Sequence, residues 1–216
     1  MMIDIDLLLA WGATFKKLSP DEIIFQEGAT CNFYYQLAEG SVRWVNINEE
    51  GKEFIQTIVD VGECFGELPL FDDHPYAATA IANTASIIIR LHKSSFLQLI
   101  KERSDIHSNF SKLLAQRVRF KFLILKELAY HDPEHRISSL LNHFKETQHN
   151  ICPKCNQLQL TRHQIADMTG LRVETVIRAM RNMHEKGEVI IKKGKVYCCS
   201  SCSSNMTEVI EKGCKA

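Results

Sequence analysis

Residues 161–180 read TRHQIADMTGLRVETVIRAM, and their spacing decides the class of the chain. Thr161 and Gln164 stand as in a capping box, where a hydroxyl and an amide side chain satisfy each other's backbone N–H groups, so a helix opens at Thr161. Gly170 ends it. A second helix begins by Val173 and stops at Gly187, a residue suited to the left-handed position after a helix. Val176, Ala179, Met180 and Met183 then form one buried stripe, which leaves Val173, Glu174, Ile177, Arg178 and Arg181 outside. Two short helices around a glycine turn, the second polar on its outer N-terminal half, is the helix-turn-helix arrangement. Residues 188–198, EVIIKKGKVYC, add a hairpin with a basic tip at Lys192, Lys193 and Lys195, a wing able to touch phosphates. Glu174 and Arg178, one turn apart, could be a surface ion pair worth about 0.2–0.5 kcal/mol. In a major groove, Arg instead binds guanine O6 and N7 while Glu accepts from cytosine N4. The cap, turn, stripe and wing around them favour base reading.

Upstream, Asp132 and Pro133 fit an N-cap followed by the first helical residue, so a boundary lies near residue 130. Residues 105–130 predict one long helix with no Gly or Pro. Its first half carries a stripe of Ile106, Phe110, Leu113, Leu114 and Val118; its second half, FKFLILKEL, is apolar on nearly all sides. Such a helix either meets two partners, for instance its own barrel and a second copy of itself, or is sunk in a monomer core; the Arg, Lys and Ser outside the first stripe favour the two partners. Residues 20–92 alternate short apolar runs with turn glycines, the pattern of a sandwich or barrel, and Gly51 marks a hairpin turn. Ser94 and Ser95 are candidate caps for the helix that follows.

Net charge is zero but unevenly divided. Residues 1–130 carry 13 Lys+Arg and 17 Asp+Glu, and residues 131–216 carry 13 and 9. The basic C-terminal part accords with a nucleic-acid partner. No apolar run is long enough to span a membrane, and aspartates stand where an export signal would be basic. The expected location is cytoplasmic. The chain shows none of the common hydrolase, metalloprotease or nucleotide-loop motifs, so an enzyme is not expected.

An N-terminal barrel, a long helix and a winged helix-turn-helix bearing Val173-Glu174-Thr175 and Arg178 resemble the Crp/Fnr family of bacterial transcription regulators. The motifs that carry the resemblance are FGELPLF (65–71), TAIANT (79–84), HDPEHRI (131–137) and residues 161–180. The resemblance implies an α+β chain. Residues 1–104 would form a cyclic-nucleotide-binding-like double-stranded β-helix, jelly-roll-like in form; 105–130 a dimerisation helix; and 131–216 the winged helix. It implies a homodimer on a two-fold symmetric double-stranded operator, and RNA polymerase as partner if the protein activates. Carried over residue by residue, Glu174 and Arg178 are the base-reading pair and Val173 and Thr175 flank it. Thr161 and Arg162 lie near phosphates, as would Lys192, Lys193 and Lys195 of the wing. The family's effector cradle maps to Gly66, Glu67, Leu68, Tyr76 and Ala77. Tyr76 stands where cyclic-nucleotide-binding members carry the phosphate-holding Arg, and Ala77 where they carry Ser or Thr. A buried phosphate without that cation loses its charge-assisted bonds, so the expected input is not a cyclic nucleotide. The readings that stay open are a retained structural turn with no ligand; a different effector in the same barrel; a haem- or gas-sensing input, with His74 or His92 as ligand; a thiol-redox input; and a cyclic nucleotide after all.

Eight cysteines in a reducing compartment read as thiols, metal ligands or redox switches. Cys152-Pro-Lys-Cys155 precedes one strand of the winged helix, and Cys199-Ser-Ser-Cys202 follows another. If those strands pair antiparallel, the four cysteines converge. One structural zinc, with His149 and Cys198 as spare candidate ligands, redox-active thiols or an iron–sulfur centre, and unliganded thiols are the readings open. Cys31 and Cys64 read as core.

Overall fold

The computed structural model of the protein describes residues 2–129 and 132–198. The chain divides between Phe120 and Lys121 into two compact units.

In the first unit, α1 (Ile5–Ala10) is capped by Asp4, whose carboxylate accepts from the amides of Asp6 and Leu7 at 3.0 and 3.2 Å. Eight strands and one short helix follow: β1 (Thr14–Leu18), β2 (Ile23–Phe25), β3 (Phe33–Glu39), β4 (Val42–Ile47), β5 (Glu53–Val59), β6 (Cys64–Phe65), the helix α2 (Leu68–Asp72), β7 (Thr79–Ala82) and β8 (Ser86–His92); the strands form the barrel. They pair antiparallel in two sheets ordered β1-β8-β3-β6 and β2-β7-β4-β5. Leu37, Phe65 and Leu91 of one sheet and Val42, Val59 and Ala82 of the other share one core, the jelly-roll-like arrangement expected.

The strand pleat sends neighbouring side chains to opposite faces, and β3 uses both. Tyr35 points between the sheets, 5.6 Å from the Phe65 ring. Tyr34 points outward and stacks on Phe96 of α3 (Lys93–Glu102) at 4.9 Å. Phe110 of α4 (Ser104–Ala129) meets Tyr34 edge-on at 6.1 Å.

Three local expectations are corrected. β1 and β6 were not foreseen, because only Leu18 of TFKKL is buried and β6 has two residues. α3 starts at Lys93 with His92 as its cap position, so neither Ser94 nor Ser95 caps it; Ser94 Oγ instead lies 3.2 Å from His92 Nδ1. In α4, Ile106 and Phe110 are buried, but Val118 is 53% exposed and joins Phe122 (68%) and Leu125 (62%) in a separate stripe. The inward position after Leu113 belongs to Arg117.

In the second unit, Asp132 caps α5 (Pro133–Thr147) by accepting from Glu134 N at 3.0 Å. Then come α6 (Arg162–Thr169), α7 (Val173–Glu185), β9 (Val189–Lys192) and β10 (Lys195–Cys198). Ile137, Leu140, Leu141 and Phe144 of α5 are buried, as are Ile165 and Met168 of α6 and the Val176, Ala179, Met180, Met183 stripe of α7. Polar ties fix α5 to both other helices. Arg136 donates to the Thr169 carbonyl at 2.9 Å, where the helix end leaves carbonyls unsatisfied. Glu134 accepts from Asn182 at 2.9 Å and pairs with Lys186. Among the described residues, no helix is long and apolar enough to cross a membrane.

Candidate nucleic-acid interface and effector barrel

The capping box at Thr161 is complete: its hydroxyl accepts from Gln164 N at 3.1 Å, and Gln164 Oε1 accepts from Thr161 N at 2.9 Å. Gly170 ends α6 in the left-handed region, φ 67°. α7 then begins with no side-chain cap, and its first turn is closed by the Thr175 amide donating to the Arg172 carbonyl at 3.0 Å; a helix N-terminus of this kind favours anions. Glu174, Ile177, Arg178 and Arg181 are exposed, while Val173 and Thr175 are half-buried. Among the described residues, no hydrogen bond or ion pair engages Glu174 or Arg178. The i,i+4 surface pair is therefore not made, and both heads stand ready for another partner.

The wing is a two-residue hairpin. Lys192 faces Lys195 in register, and Lys193 and Gly194 both have positive φ, 48° and 77°. That is the turn whose twist suits paired strands, and glycine makes its second position accessible. The tip holds Lys193 and Lys195 exposed and Lys192 half-buried. Arg162 also has a partner within the protein: its guanidinium donates to the Gly194 carbonyl at 2.6 Å. It buttresses the wing against α6, with part of its donor set engaged internally.

The barrel is arranged otherwise. Phe25, Tyr35, Phe65 and Tyr76 gather between the sheets, and the Tyr76 ring stacks on Phe25 with centroids 3.8 Å apart and planes 11° from parallel. Gly66, at φ 66°, lies against this stack; a Cβ there would fall 2.5 Å from Phe25 Cζ and 3.1 Å from Tyr76. The glycine of the cradle is thus used for close approach of backbone to protein rings. The Tyr76 hydroxyl is buried without a nitrogen or oxygen partner. Burial, and then the adjoining Cys31 thiol, push its pKa up.

Glu67 is fully buried and forms an ion pair with Arg117 of α4. The same guanidinium donates to the Cys64 carbonyl at 2.7 Å and lies 5.6 Å from the Trp44 ring. Burial works against the charge on Arg117, but the Glu67 carboxylate outweighs it and the pKa rises. Arg117 is the residue the sequence reading missed. Its one signal is position, because 106, 110, 113 and 117 follow the helical period. Leu68 and Ala77 are exposed, so of the five cradle residues only Gly66, Glu67 and Tyr76 turn inward. Cys64 is buried and its thiol pKa is pushed up by that burial, which keeps it neutral and disfavours a redox role. His74 and His92 are both exposed, away from the barrel core. Of the paired cysteines, Cys152 and Cys155 are described, whereas Cys199 and Cys202 lie outside the described residues.

The cyclic nucleotide-binding domain model matches residues 15–103, and the Crp-like helix-turn-helix domain model matches residues 135–199. The chain is 31% identical over 181 residues to the cAMP-activated global transcriptional regulator CRP of Salmonella typhimurium, covering 83% of this chain and 86% of that one. It is 28% identical over 194 residues to the cyclic AMP receptor protein of Thermus thermophilus, covering 89% and 87%. Among solved structures, FixK2 from Bradyrhizobium japonicum superposes with a TM-score of 0.74 at 19% identity, covering 94% of this chain and 98% of that one.

Proposed function

The chain belongs to the Crp/Fnr family of transcription regulators, and from that footing we propose how this member reads DNA and what does not control it. It is a DNA-binding regulator. Its reading pair is Glu174 and Arg178, carried on the exposed face of α7 with neither side chain engaged by the protein. That face is the observation that carries the reading. Thr161, Lys192, Lys193 and Lys195 hold the phosphates on either side, while Arg162 acts first by bracing the wing. Val173 and Thr175, half-buried, set the pitch of α7 more than they touch bases.

The active form is a homodimer on a two-fold operator. Val118, Phe122 and Leu125 are exposed at spacings of four and three along α4, the heptad seam that a second copy of the same helix covers.

The input is not a cyclic nucleotide, although the named relatives are cAMP regulators. Among the described residues, the cation paired with Glu67 is Arg117 of α4, and the Tyr76 ring lies beside Gly66. Calorimetry with cyclic AMP or cyclic GMP should give no saturable heat below millimolar concentration. A micromolar dissociation constant would restore the cyclic-nucleotide reading. The DNA half of the proposal is tested separately, by comparing wild type and Arg178→Ala on operator and random duplexes.

A further inference from the structure

α7 buries Val176, Ala179, Met180 and Met183 and turns its other side outward. Polar residues are expected there, and Glu174, Arg178 and Arg181 supply them. Ile177 does not. It is 37% exposed, and among the described residues from 132 to 198 it is the one large apolar side chain left on the surface. A single exposed isoleucine is ordinary in itself; its position is what matters. Each residue of an α-helix advances about 100°, so Ile177 lies about 60° round the helix from Glu174 and about 100° from Arg178. It shares that flank with Val173, one turn earlier and half-buried. A β-branched side chain also gives up rotamer freedom against the preceding turn of a helix. Helix stability alone would favour an unbranched residue at this exposed place.

The floor of a major groove offers such a side chain one matching group. Base edges there carry hydrogen-bond donors and acceptors, and thymine alone adds a methyl group, at C5. An isoleucine pressed against the amino group of cytosine or adenine would strip water from it and provide no acceptor, which is costly. Against the thymine methyl it removes apolar surface on both partners from water. Reach permits the contact. From Glu174 to Ile177 the helix rises about 4.5 Å, little more than the step of about 3.4 Å between base pairs. A pair next to the one that Glu174 and Arg178 meet is therefore accessible to Ile177.

We infer that Ile177 is a specificity residue that reads thymine by its 5-methyl group, at a base pair adjacent to the G·C pair read by Glu174 and Arg178. The contact rests on α7 being the helix that reads the operator. It joins an apolar selection to a charged one: Arg178 and Glu174 choose G·C through hydrogen bonds, and Ile177 chooses the T·A pair beside it through shape and desolvation. The unit leaves Ile177 exposed because that surface is covered only when DNA is bound.

The test takes the full-length chain and an operator selected with it from randomised DNA. Each thymine of the half-site is replaced in turn by deoxyuridine, which pairs as thymine does and lacks only the methyl group. One position next to the selected G·C pair should respond. There the wild type should bind about fourfold more weakly, equivalent to about 0.8 kcal/mol for one buried methyl-sized group. Changing both half-sites should multiply the loss to about fifteenfold. Ile177→Ser alters the surface and leaves the buried stripe intact; it should bind thymine and uracil operators equally and melt as the wild type does. Equal wild-type affinity for thymine and uracil at every position overturns the contact. So does an Ile177→Ser protein that keeps the wild-type preference for thymine. Arg178→Ala judges the helix separately. If it keeps full preference for the G·C pair, α7 is not the reader and the thymine contact falls with it. If it loses that preference while uracil is without effect on the wild type, the thymine contact alone fails.

Discussion

The winged helix and the barrel carry motifs of the same family, but they treat their polar groups in opposite ways. In the winged helix the structural polar side chains are consumed: Thr161 by its capping box, Arg136 by the end of α6, Glu134 by Asn182 and Lys186. Glu174 and Arg178 are left over, exposed and engaged by nothing in the described chain. In the barrel the residues that would meet a ligand meet each other. Glu67 is taken by Arg117, and the Gly66 backbone is pressed by Phe25 and Tyr76. A binding surface must keep donors and acceptors unspent until its ligand arrives, since a buried polar group without a partner is costly. By that measure the winged helix is open, while in the barrel Glu67 and Gly66 are taken up and the Tyr76 hydroxyl stays buried without a nitrogen or oxygen partner.

The largest expected break in this comparison is between copies of the chain. Phe122→Glu places a charge in the exposed α4 stripe of Val118, Phe122 and Leu125 that is proposed to pair two copies of the chain. It should cost dimerisation about 3–6 kcal/mol, from about 1.5–3 kcal/mol for each buried Phe. Sedimentation should show monomer at concentrations where the wild type is dimeric, and operator affinity should fall with it.

Next comes the barrel pair. Arg117→Ala leaves the Glu67 carboxylate buried alone. Breaking a buried pair costs about 3–5 kcal/mol, and the lower end is expected because the Arg117 side chain keeps 22% exposure. Denaturant melts should show the barrel weakened. Arg117→Ala paired with Glu67→Gln should recover much of the loss, and no recovery would mean that Arg117 acts through Trp44 and Cys64 alone.

For the open half, Arg178→Ala should cost about 1–3 kcal/mol on the preferred operator and little on random duplex. Equal losses on both would remove it from base reading. The smallest effect belongs to the wing. Lys193→Gln should weaken specific and random binding alike and flatten the plot of log affinity against log salt by about 0.9.

The same contrast explains what could be read in advance. The stripe of α7 was legible because Val176, Ala179, Met180 and Met183 follow the helical period with polar residues between them, and local spacing is what a sequence displays. The Lys193-Gly194 turn and the Asp132-Pro133 start were legible for the same reason. Arg117 was not, since a charge within a long helix reads as solvent-facing, and only Glu67, fifty positions earlier, makes it an inward residue. The Tyr76–Phe25 stack is likewise a meeting of β2 with the loop before β7, invisible to any local pattern. Arg162 was placed near phosphate by resemblance, but its bond to Gly194 depends on where the wing folds back. Val118 was assigned to the wrong stripe because the second half of α4 is apolar on several faces and spacing alone does not choose between them.

The contrast that matters is between a proposed DNA-reading face left unengaged and a barrel whose inward cradle residues pack against one another. Its most direct test is the affinity of the full-length dimer for an operator selected from randomised DNA, measured with and without saturating cyclic AMP or cyclic GMP. Specific binding is expected in the absence of nucleotide, with no change on its addition. Strengthening by about tenfold or more, equivalent to about 1.4 kcal/mol, would show that the barrel opens to a cyclic nucleotide and would contradict that expectation.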